Sequence, residues 1–420
     1  MRRVFHGWRM AAAACGIQFM YSALLNQAFG AYVAVIGSER GWSKTALSGG
    51  AALQSIESAI MGPLLGWMVD RFGPQNMVRL GVLMFGVGFW FLSQLDSIGS
   101  FYVAAVTLAV GASLGGYFPL SVSMINWFER HRARALSIMS MGMALGGLAV
   151  PAVAWSMQHH GWRQTALASA LIAIGVGLPL SMVIRRRPAD HGQTVDGLPP
   201  EPPPAPGTVP VVAPLPEFTA AQAVRTRAFW LLAVGHGLAL LVVTSVNVHG
   251  ITHMRDGLGY SVQQASLAIM AMTLAQVGGV GLGAVIGDRF DKRRVAALCM
   301  LGHGAGLLLL TYARTPWEVA GFAILHGLAW GLRGPFMQAI RADYFGRHAI
   351  GMILGLSAMI IALGQIAGPM VAGVMADLTG NYRTGFTLLA LTAAAGSLTF
   401  LAARKPVLPQ AGARPASAAG

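Results

Sequence analysis

The sequence predicts an all-α membrane protein with twelve transmembrane helices, arranged as two pseudo-symmetric six-helix bundles. Its composition, its long apolar stretches and an internal repeat each indicate this fold class. Of the 420 residues, 55% are hydrophobic and 10% are charged, against roughly 25% charged in an ordinary soluble domain. A surface made from these residues suits lipid better than water.

The apolar stretches have the length that a membrane-spanning helix requires. A helix needs about 20 mostly apolar residues to cross a hydrocarbon core ~30 Å thick. In lipid a helix satisfies its own backbone hydrogen bonds. A closed barrel would show period-two alternation, which this sequence lacks. The predicted spans are 9–36, 45–69, 76–95, 101–126, 135–156, 164–184, 229–251, 262–287, 295–313, 318–341, 350–375 and 384–403.

A proline-rich segment divides the chain into two halves. Residues 188–217 contain Pro199-Pro-Glu-Pro-Pro-Pro and lack apolar periodicity, which predicts a semi-extended cytoplasmic linker. Residues 1–187 and 218–405 are then the two six-helix bundles. The tail 406–420, rich in Ala, Gly and Pro, is predicted to be disordered.

Positive charge is distributed unevenly between the two sides of the predicted bilayer. The chain has 29 Lys and Arg residues against 15 Asp and Glu. Most of the positive residues, Arg341 among them, fall on the side of the termini. By the positive-inside rule that side is cytoplasmic, so we expect a multi-pass protein of a bacterial inner membrane with both termini in the cytoplasm. The other side carries Arg40, Lys44, Arg163, Arg255, Arg314 and Arg383.

The sequence does not indicate an enzyme, a nucleic-acid-binding protein or a metal site. The net charge of +14 is accounted for by the loops on one side, so it does not indicate nucleic acid. Cys15 and Cys299 have no CxxC or His/Cys spacing. A set of nucleophile, base and orienting residue is missing, and so is a phosphate loop. No cofactor or metal is therefore expected.

The two halves repeat at an offset near 218 residues. Gly66-Trp-Met-Val-Asp70-Arg71-Phe-Gly73, after the second span, matches Ala284-Val-Ile-Gly-Asp288-Arg289-Phe290, after the eighth. Tyr117-Phe-Pro119 matches Arg333-Gly-Pro335 at an offset of about 216. Repeated halves around a central interface are the usual plan of secondary transporters, whose binding site lies near the midplane.

The repeated loop resembles the major facilitator superfamily, in which the loop after the second helix reads G-x-x-x-D-R-x-G. The resemblance implies twelve helices and transport by alternating access. It also implies that charge pairs of these loops latch the outward-open state at the cytoplasmic end. The predicted gating residues are Gly66, Asp70, Arg71, Gly73, Asp288 and Arg289.

Three further segments resemble the monocarboxylate and oxalate/formate carrier branch of this superfamily. They are Phe5-His-Gly-Trp8, Arg227-Ala-Phe-Trp230 and Gly331-Leu-Arg-Gly-Pro335. Members often carry a substrate-binding arginine in span eight, whereas span eight of this sequence has no charged residue. The resemblance implies a small organic anion as the substrate but does not specify which one.

Two strongly ionisable side chains, Arg333 and Glu57, lie well inside predicted spans. A charge at the bilayer centre costs at least ~2.5–3.5 kcal/mol, so each is expected to have a partner. The guanidinium of Arg333 suits a substrate carboxylate. Alternatively it satisfies the carbonyl of Gly331, because Pro335 cannot donate to that carbonyl. Glu57 is either a proton carrier, through a raised pKa, or a structural carboxyl in an ion pair or hydrogen bond.

Neutral polar residues stand at corresponding places in the two halves. In the family, spans one, four, seven and ten line the cavity, so we expect these residues near the substrate, where Tyr117 can donate a hydrogen bond to an anion. For each of them the alternative is a hydrogen bond between helices. Among the histidines, His236 is the predicted proton carrier. The substrate-binding candidates beside Arg333 are Tyr117, Asn26, Gln27, Thr244, Ser245, Gln276 and Gln365.

Taken together, the sequence predicts a carrier of small organic anions, monocarboxylate-like, that works by proton coupling or exchange. It would act as a monomer in the lipid bilayer. Two alternatives stay open. One is proton-driven efflux of drugs or other amphiphiles, for which Glu57 and the 22 methionines would matter more than Arg333. The other is a membrane sensor that keeps a carrier fold.

Overall fold

The computed structural model describes residues 5–26, 28–42, 57, 61–198 and 217–407. Within these ranges every regular element is a helix, which confirms the all-α prediction. Eight helices of the described ranges are long and apolar enough to cross a membrane.

Each half of the chain forms its own bundle. The N-terminal bundle contains α1 (His6–Tyr21), α2 (Phe29–Arg40), α3 (61–72), α4 (Pro74–Ser93), α5 (Ile98–Gly115), α6 (Tyr117–Trp127), α7 (Arg132–Leu145), α8 (Val150–Ile172) and α9 (Leu178–Val183). The C-terminal bundle contains α10 (Ala220–Val224), α11 (Arg227–Leu258), α12 (Val262–Ile286), α13 (Lys292–Thr311), α14 (Pro316–Phe345), α15 (Ile350–Thr379) and α16 (Arg383–Ala402).

Several spans of the N-terminal bundle are interrupted. A π-helical turn, Ser22–Asn26, follows α1, and Gly116 separates α5 from α6 within one span. A 3₁₀ turn, Gly146–Ala149, precedes Pro151, which lacks the N–H needed to continue a regular helix. In α8 the chain turns from the fifth span to the sixth at Gly161, whose φ of +79° is readily accessible to glycine.

Helix ends are fixed by capping residues and not by the limits of the apolar stretch. The predicted tenth span, 318–341, is part of the longer α14. Thr315 and Glu318 form a capping box at its start, with Pro316 in the first turn, where its missing N–H has no cost. Gly346, with φ of +79°, follows its last residue. The helix therefore extends beyond the apolar stretch at both ends.

Glycines let the helices of each bundle approach until their backbones touch. A Cβ placed on Gly142 would lie 1.8 Å from the carbonyl oxygen of Cys15, and one on Gly364 would lie 2.2 Å from that of Gly237. These contacts join α7 to α1 and α15 to α11. Small residues at such crossings are typical of helix packing in membranes.

The two halves meet at one end of the molecule, which we call the basic end. It carries the loops around residues 70–74, 128–132, 184–198, 287–292 and 345–350. An apolar cluster with members from both halves lies there, and Gly66 packs against Gly351 so closely that a Cβ on Gly66 would lie 2.5 Å from its carbonyl oxygen. The hydrogen bonds and ion pairs that join the halves within the described ranges also lie at this end.

The first part of the proline-rich segment is folded, unlike the semi-extended linker that its composition predicts. Residues 189–197 form two 3₁₀ turns. The carboxylate of Asp196 accepts hydrogen bonds from the amides of Glu129 and Arg130, and the ring of His191 stacks on His6. Burial, and then the charges of Arg185 and His6, lower the pKa of His191. Composition could not reveal these contacts because they involve residues distant in sequence. Residues 199–216 and the tail from 408 lie outside the described ranges.

Replacing Gly142 by Ala is expected to lower the stability of the protein. The added methyl group would force α1 away from α7, and overpacking of this kind costs ~1–3 kcal/mol. Thermal unfolding in detergent should show a Tm lower by several degrees. Gly175→Ala is the matched control, because nothing lies within 4 Å of a Cβ at Gly175. Equal Tm values for the two variants would contradict the packing described here.

Candidate functional site

Arg333 is buried at the centre of the molecule, on α14. It is 1% exposed. Within the part of the chain that the structure describes, its Nε and Nη1 atoms have no hydrogen-bond partner, and the ion pairs formed there do not include it. It is close enough to Tyr117, in the other half, and to Cys299 to interact electrostatically with both. A guanidinium in this state is able to bind an anion.

A second buried arginine, Arg341, lies two turns further along α14. Its Nη1 donates to the carbonyl of Met337 at 3.1 Å and its Nη2 donates to that of Leu232 at 3.3 Å. Arg341 was predicted to lie with the loop charges at the end of span ten, and this prediction is wrong. Because α14 continues to Phe345, Arg341 is instead buried within the helix and packs against α11.

His236 lies against Arg341. Both Nη atoms of Arg341 are 3.4 Å from its Nδ1. Because a guanidinium only donates, Nδ1 must be the acceptor, and the imidazole in this arrangement is neutral. A proton on Nδ1 would face two donors. The role of His236 as a proton carrier stays a prediction, and it requires Arg341 or His236 to move first.

Two more histidines form a contact that the sequence analysis did not find. His303 on α13 and His326 on α14 are fully buried, and their Nδ1 atoms are 3.3 Å apart. We call them the histidine pair. The spacing of seven residues between His326 and Arg333 places both on one face of α14. The sequence could therefore have indicated that His326 and Arg333 share a face. The partner on α13 could be found only in three dimensions.

The polar candidates of the C-terminal half differ in the hydrogen bonds that their side chains make. Thr244 donates to the carbonyl of Leu240 at 2.7 Å and lies 3.1 Å from that of Gln365, which Pro369 leaves without its helical donor. Ser245 is fully buried and donates to the carbonyl of Leu241 at 2.8 Å. Both hydroxyl protons are thus donated to carbonyls of their own helix, and only Thr244 also lies near a carbonyl of another helix. Their contact with substrate stays a prediction.

The remaining polar candidates are less enclosed. Asn26, at the end of the π-helical turn, and Gln365 are exposed, while Tyr117 and Gln276 are partly buried. Gln27 lies outside the described residues. An exposed amide in the middle of a span is expensive in lipid, so we expect Asn26 and Gln365 to face the space between the halves.

Glu57 is partly buried and hydrogen-bonded. The Ser113 hydroxyl on α5 donates to its Oε2 at 3.1 Å. This contact agrees with a structural carboxyl, and it also leaves the carboxylate able to bind a proton. Both interpretations from the sequence therefore remain open.

The repeated aspartates bind across the interface at the basic end. Asp70 accepts hydrogen bonds from the amides of Gly351 at 3.0 Å and Met352 at 2.8 Å, at the start of α15. Asp288 accepts from the amides of Ala133 at 3.0 Å and Arg134 at 3.1 Å, at the start of α7. Each aspartate thus caps a helix of the other half, where its charge also meets the positive end of the helix dipole.

Ion pairs surround these caps. Arg347 contacts Glu129 at 2.7 Å, and Arg132 pairs with Asp343, which Lys292 also contacts at 3.0 Å. The first two of these pairs join the halves. The charges of the basic end therefore do more than set topology, because they connect α7 and the loop before it to the C-terminal bundle.

The other predicted gating residues have different roles. The backbone at Gly66 touches α15, and Gly73, with φ of +84°, allows the turn before α4. Arg71 lies over the rings of Trp67 and Phe72 in its own half. Arg289 is exposed. The structure therefore brings the aspartates and Gly66 to the interface but does not bring the two arginines into it.

Two repeated helical bundles, joined at one end around buried cationic side chains, define a two-half membrane carrier. A family model described as Major Facilitator Superfamily matches residues 14–252 and 232–419. The chain belongs to that superfamily and is a transporter, not an enzyme. The superfamily fold has twelve helices in two halves, so the predicted fold class is confirmed.

Individual relatives and solved structures agree with this assignment. Monocarboxylate transporter 13 of Bos taurus is 23% identical, covering 83% of this chain and 77% of its own length. The oxalate:formate antiporter of Oxalobacter formigenes is 23% identical, covering 90% and 85%. The crystal structure of a variant of the E. coli fucose:proton symporter FucP has a TM-score of 0.72 at 12% identity, covering 94% of this chain and 98% of that chain. The resemblance to the monocarboxylate and oxalate/formate branch is confirmed.

Replacing Asp70 and Asp288 together by Ala is expected to open the basic end. Each change removes two hydrogen bonds between the halves, and loss of a helix cap costs ~0.5–2 kcal/mol. Spin labels at Asn76→Cys and Arg294→Cys, both exposed positions, measure the separation by double electron–electron resonance once the two native cysteines are replaced by Ser. We expect a new population at longer distance.

The matched control for this measurement is Asp291→Ala. Asp291 caps its own helix by accepting from the amide of Arg293 at 2.9 Å, and the hydrogen bond from the Arg293 side chain lowers the pKa of its carboxyl. Its loss should leave the separation of the halves unchanged. Identical distance distributions for the wild type and the double variant would contradict the proposed latch.

Proposed function

We propose that this protein is a secondary active transporter of small organic anions, monocarboxylate-like, that works by alternating access in a bacterial inner membrane. The observation that carries the proposal is Arg333, a buried cation with no carboxylate partner among the described residues. A substrate carboxylate supplies the missing charge and two acceptor oxygens in the geometry that a guanidinium fits.

The energetic argument favours a ligand over a purely structural arginine. An ion buried without a partner retains a desolvation penalty of several kcal/mol. The structural alternative was a hydrogen bond from Arg333 to the carbonyl of Gly331. Among the hydrogen bonds of the described residues there is none between these two groups. This supports the interpretation that the partner of Arg333 is the transported anion.

The surroundings of Arg333 support a path for the anion. A Cβ placed on the neighbouring Gly334 would meet nothing within 4 Å, so the backbone beside the arginine borders open space. Asn26 and Gln365 are exposed, and we assign their amides to the wall of this path. Tyr117 approaches Arg333 from the other half and would orient the carboxylate, with Gln276 as a further candidate.

The conformation follows from the position of the contacts between the halves. If the basic end is cytoplasmic, as the distribution of Lys and Arg indicates, these contacts close the cytoplasmic side, which is the arrangement that we assign to an outward-open state. Transport then requires the helix caps at Asp70 and Asp288 to break. We infer that an anion bound between Arg333 and Tyr117, which belong to opposite halves, promotes the closure of the outer side.

Charge must be compensated during transport. Moving one anion inward against a membrane potential of 100 mV costs about 2.3 kcal/mol, so a proton must accompany it or another anion must leave. Relatives named for monocarboxylate transport and for oxalate:formate antiport are compatible with either solution. Glu57 and His236 are the proposed proton-coupling residues.

Arg333→Gln is expected to reduce transport of the preferred acid at least tenfold, because loss of one partner of a buried charge pair costs ~2–5 kcal/mol. Uptake of radiolabelled lactate, pyruvate, formate and oxalate into proteoliposomes under a pH gradient provides the measurement. Arg314→Gln, which removes an exposed arginine, should transport like the wild type. If no acid moves, or if Arg333→Gln transports normally, the anion proposal is wrong and efflux of amphiphiles becomes the leading account.

Glu57→Gln is expected to abolish accumulation driven by the pH gradient while leaving exchange of internal for external substrate intact. The amide keeps the shape of the side chain and cannot take up the proton. Ser113→Ala, which removes the hydrogen bond to Glu57 but keeps the carboxyl, is the control and should still accumulate substrate. Normal accumulation by Glu57→Gln would assign Glu57 a structural role.

A further inference from the structure

The histidine pair, His303 and His326, is a buried titratable group that the proposed transport mechanism does not yet use. Both rings are fully buried, and their Nδ1 atoms are 3.3 Å apart. Within the described part of the chain, the Nε2 atom of each ring has no hydrogen-bond partner. Unsatisfied polar atoms in a core are costly, so such a pair needs an explanation.

The pair lies beside the proposed anion site. His326 and Arg333 are seven residues apart on α14, which at 1.5 Å per residue is a rise of about 10 Å along one face. Arg333 interacts electrostatically with both histidines. The pair and the anion would therefore interact with the same guanidinium.

Among the described residues, Arg333 is the charged residue that interacts electrostatically with both rings of the histidine pair. The packed helix α12 has no ionisable side chain, and α16 has only Arg383, at its first residue. Tyr117 approaches from α6 and Cys299 lies on α13. The remaining ionisable groups are those of α11, namely Arg227, His236, His249, His253, Arg255 and Asp256, the starting residues Lys292, Arg293 and Arg294 of α13, and Glu318, Arg341, Asp343 and Tyr344 of α14.

We propose that the histidine pair takes up one proton together with the anion, so that proton binding and carboxylate binding are linked. The inference rests on the proposed function of Arg333 as the carboxylate site. It adds a proton site that is separate from Glu57 and from His236.

The proton has a defined place in the pair. When both rings are neutral, one Nδ1–H donates to the Nδ1 lone pair of the other ring. The donating ring then has a free lone pair on Nε2. A proton bound there makes that ring a cation, while its Nδ1–H···Nδ1 hydrogen bond is kept. No other bond forms or breaks.

Arg333 determines when this proton can bind. With the anion site empty, burial and the positive charge of Arg333 both oppose a second cation nearby. A bound carboxylate neutralises Arg333 and removes the second of these obstacles. Because linkage is reciprocal, a protonated pair must in turn strengthen anion binding by the same factor. At about 10 Å and an effective dielectric constant of about 20, this factor is roughly tenfold.

The test is equilibrium binding to the purified protein between pH 4.5 and 7.5, a range that extends below ordinary histidine titration because burial and Arg333 both oppose the proton. The ligand is whichever of lactate, pyruvate, formate and oxalate the wild type binds. Titration calorimetry in two buffers of different ionisation enthalpy counts the protons taken up with each anion. For the wild type we expect the pair to lower the Kd by up to about tenfold at the acidic end, with up to one proton taken up by the pair. The double variant His303→Gln/His326→Gln should lose this change in Kd and this proton, while a proton bound at Glu57 is retained.

His253→Gln is the matched control, because His253 is a buried histidine of the same half that contacts the Leu310 carbonyl at 3.1 Å instead of the pair. It should keep the dependence on pH. Zero protons per anion in the wild type would overturn the inference without any variant, and so would a double variant whose pH dependence and proton uptake equal those of the wild type. Failure of the wild type to bind any of the four acids would instead refute the proposed function itself.

Discussion

A positive charge held in the core without a protein counter-charge is the constraint on which the rest of this molecule depends. Arg333 is surrounded by helices that satisfy their own backbone, and the described residues offer it no carboxylate. Its neighbours are a second buried arginine, Arg341, and three buried histidines, so two positive charges lie in the core of the C-terminal bundle. Such a site is costly in a bilayer, and under the proposed function a bound anion offsets that cost during part of each transport cycle.

The interface at the basic end follows the same symmetry as the fold. Asp70 and Asp288 are related by the repeat, and so are the amide pairs that they bind, at Gly351 and Ala133. The closed end is therefore stabilised by two equivalent sets of caps that bind across the interface. Capping bonds between separate bundles can break without unfolding either bundle, because each bundle has its own apolar core. This separation of bundle stability from interface stability is what a rocking motion of two halves requires.

Much of the fold could be predicted because the bilayer restricts the possible structures. Apolar stretches had to be helices, the repeat implied two halves, and the aspartates were identified from their motif. The missed features depend on tertiary contacts. Arg341 was assigned to a loop because the apolar stretch ends before α14 ends. The contact between His303 and His326 joins two helices, and no pattern within either helix indicates it. The hydroxyl of Thr244 lies 3.1 Å from the carbonyl of Gln365, which Pro369 leaves free on another helix.

The most direct test of the central claim compares the binding of a carboxylic acid with that of its uncharged amide, for example lactate and lactamide, in the wild type and in Arg333→Gln. If Arg333 binds the carboxylate, the wild type prefers the acid by about 2–5 kcal/mol, and the variant loses that preference. Equal binding of acid and amide by the wild type would contradict the account, as would a preference for the acid that persists in Arg333→Gln.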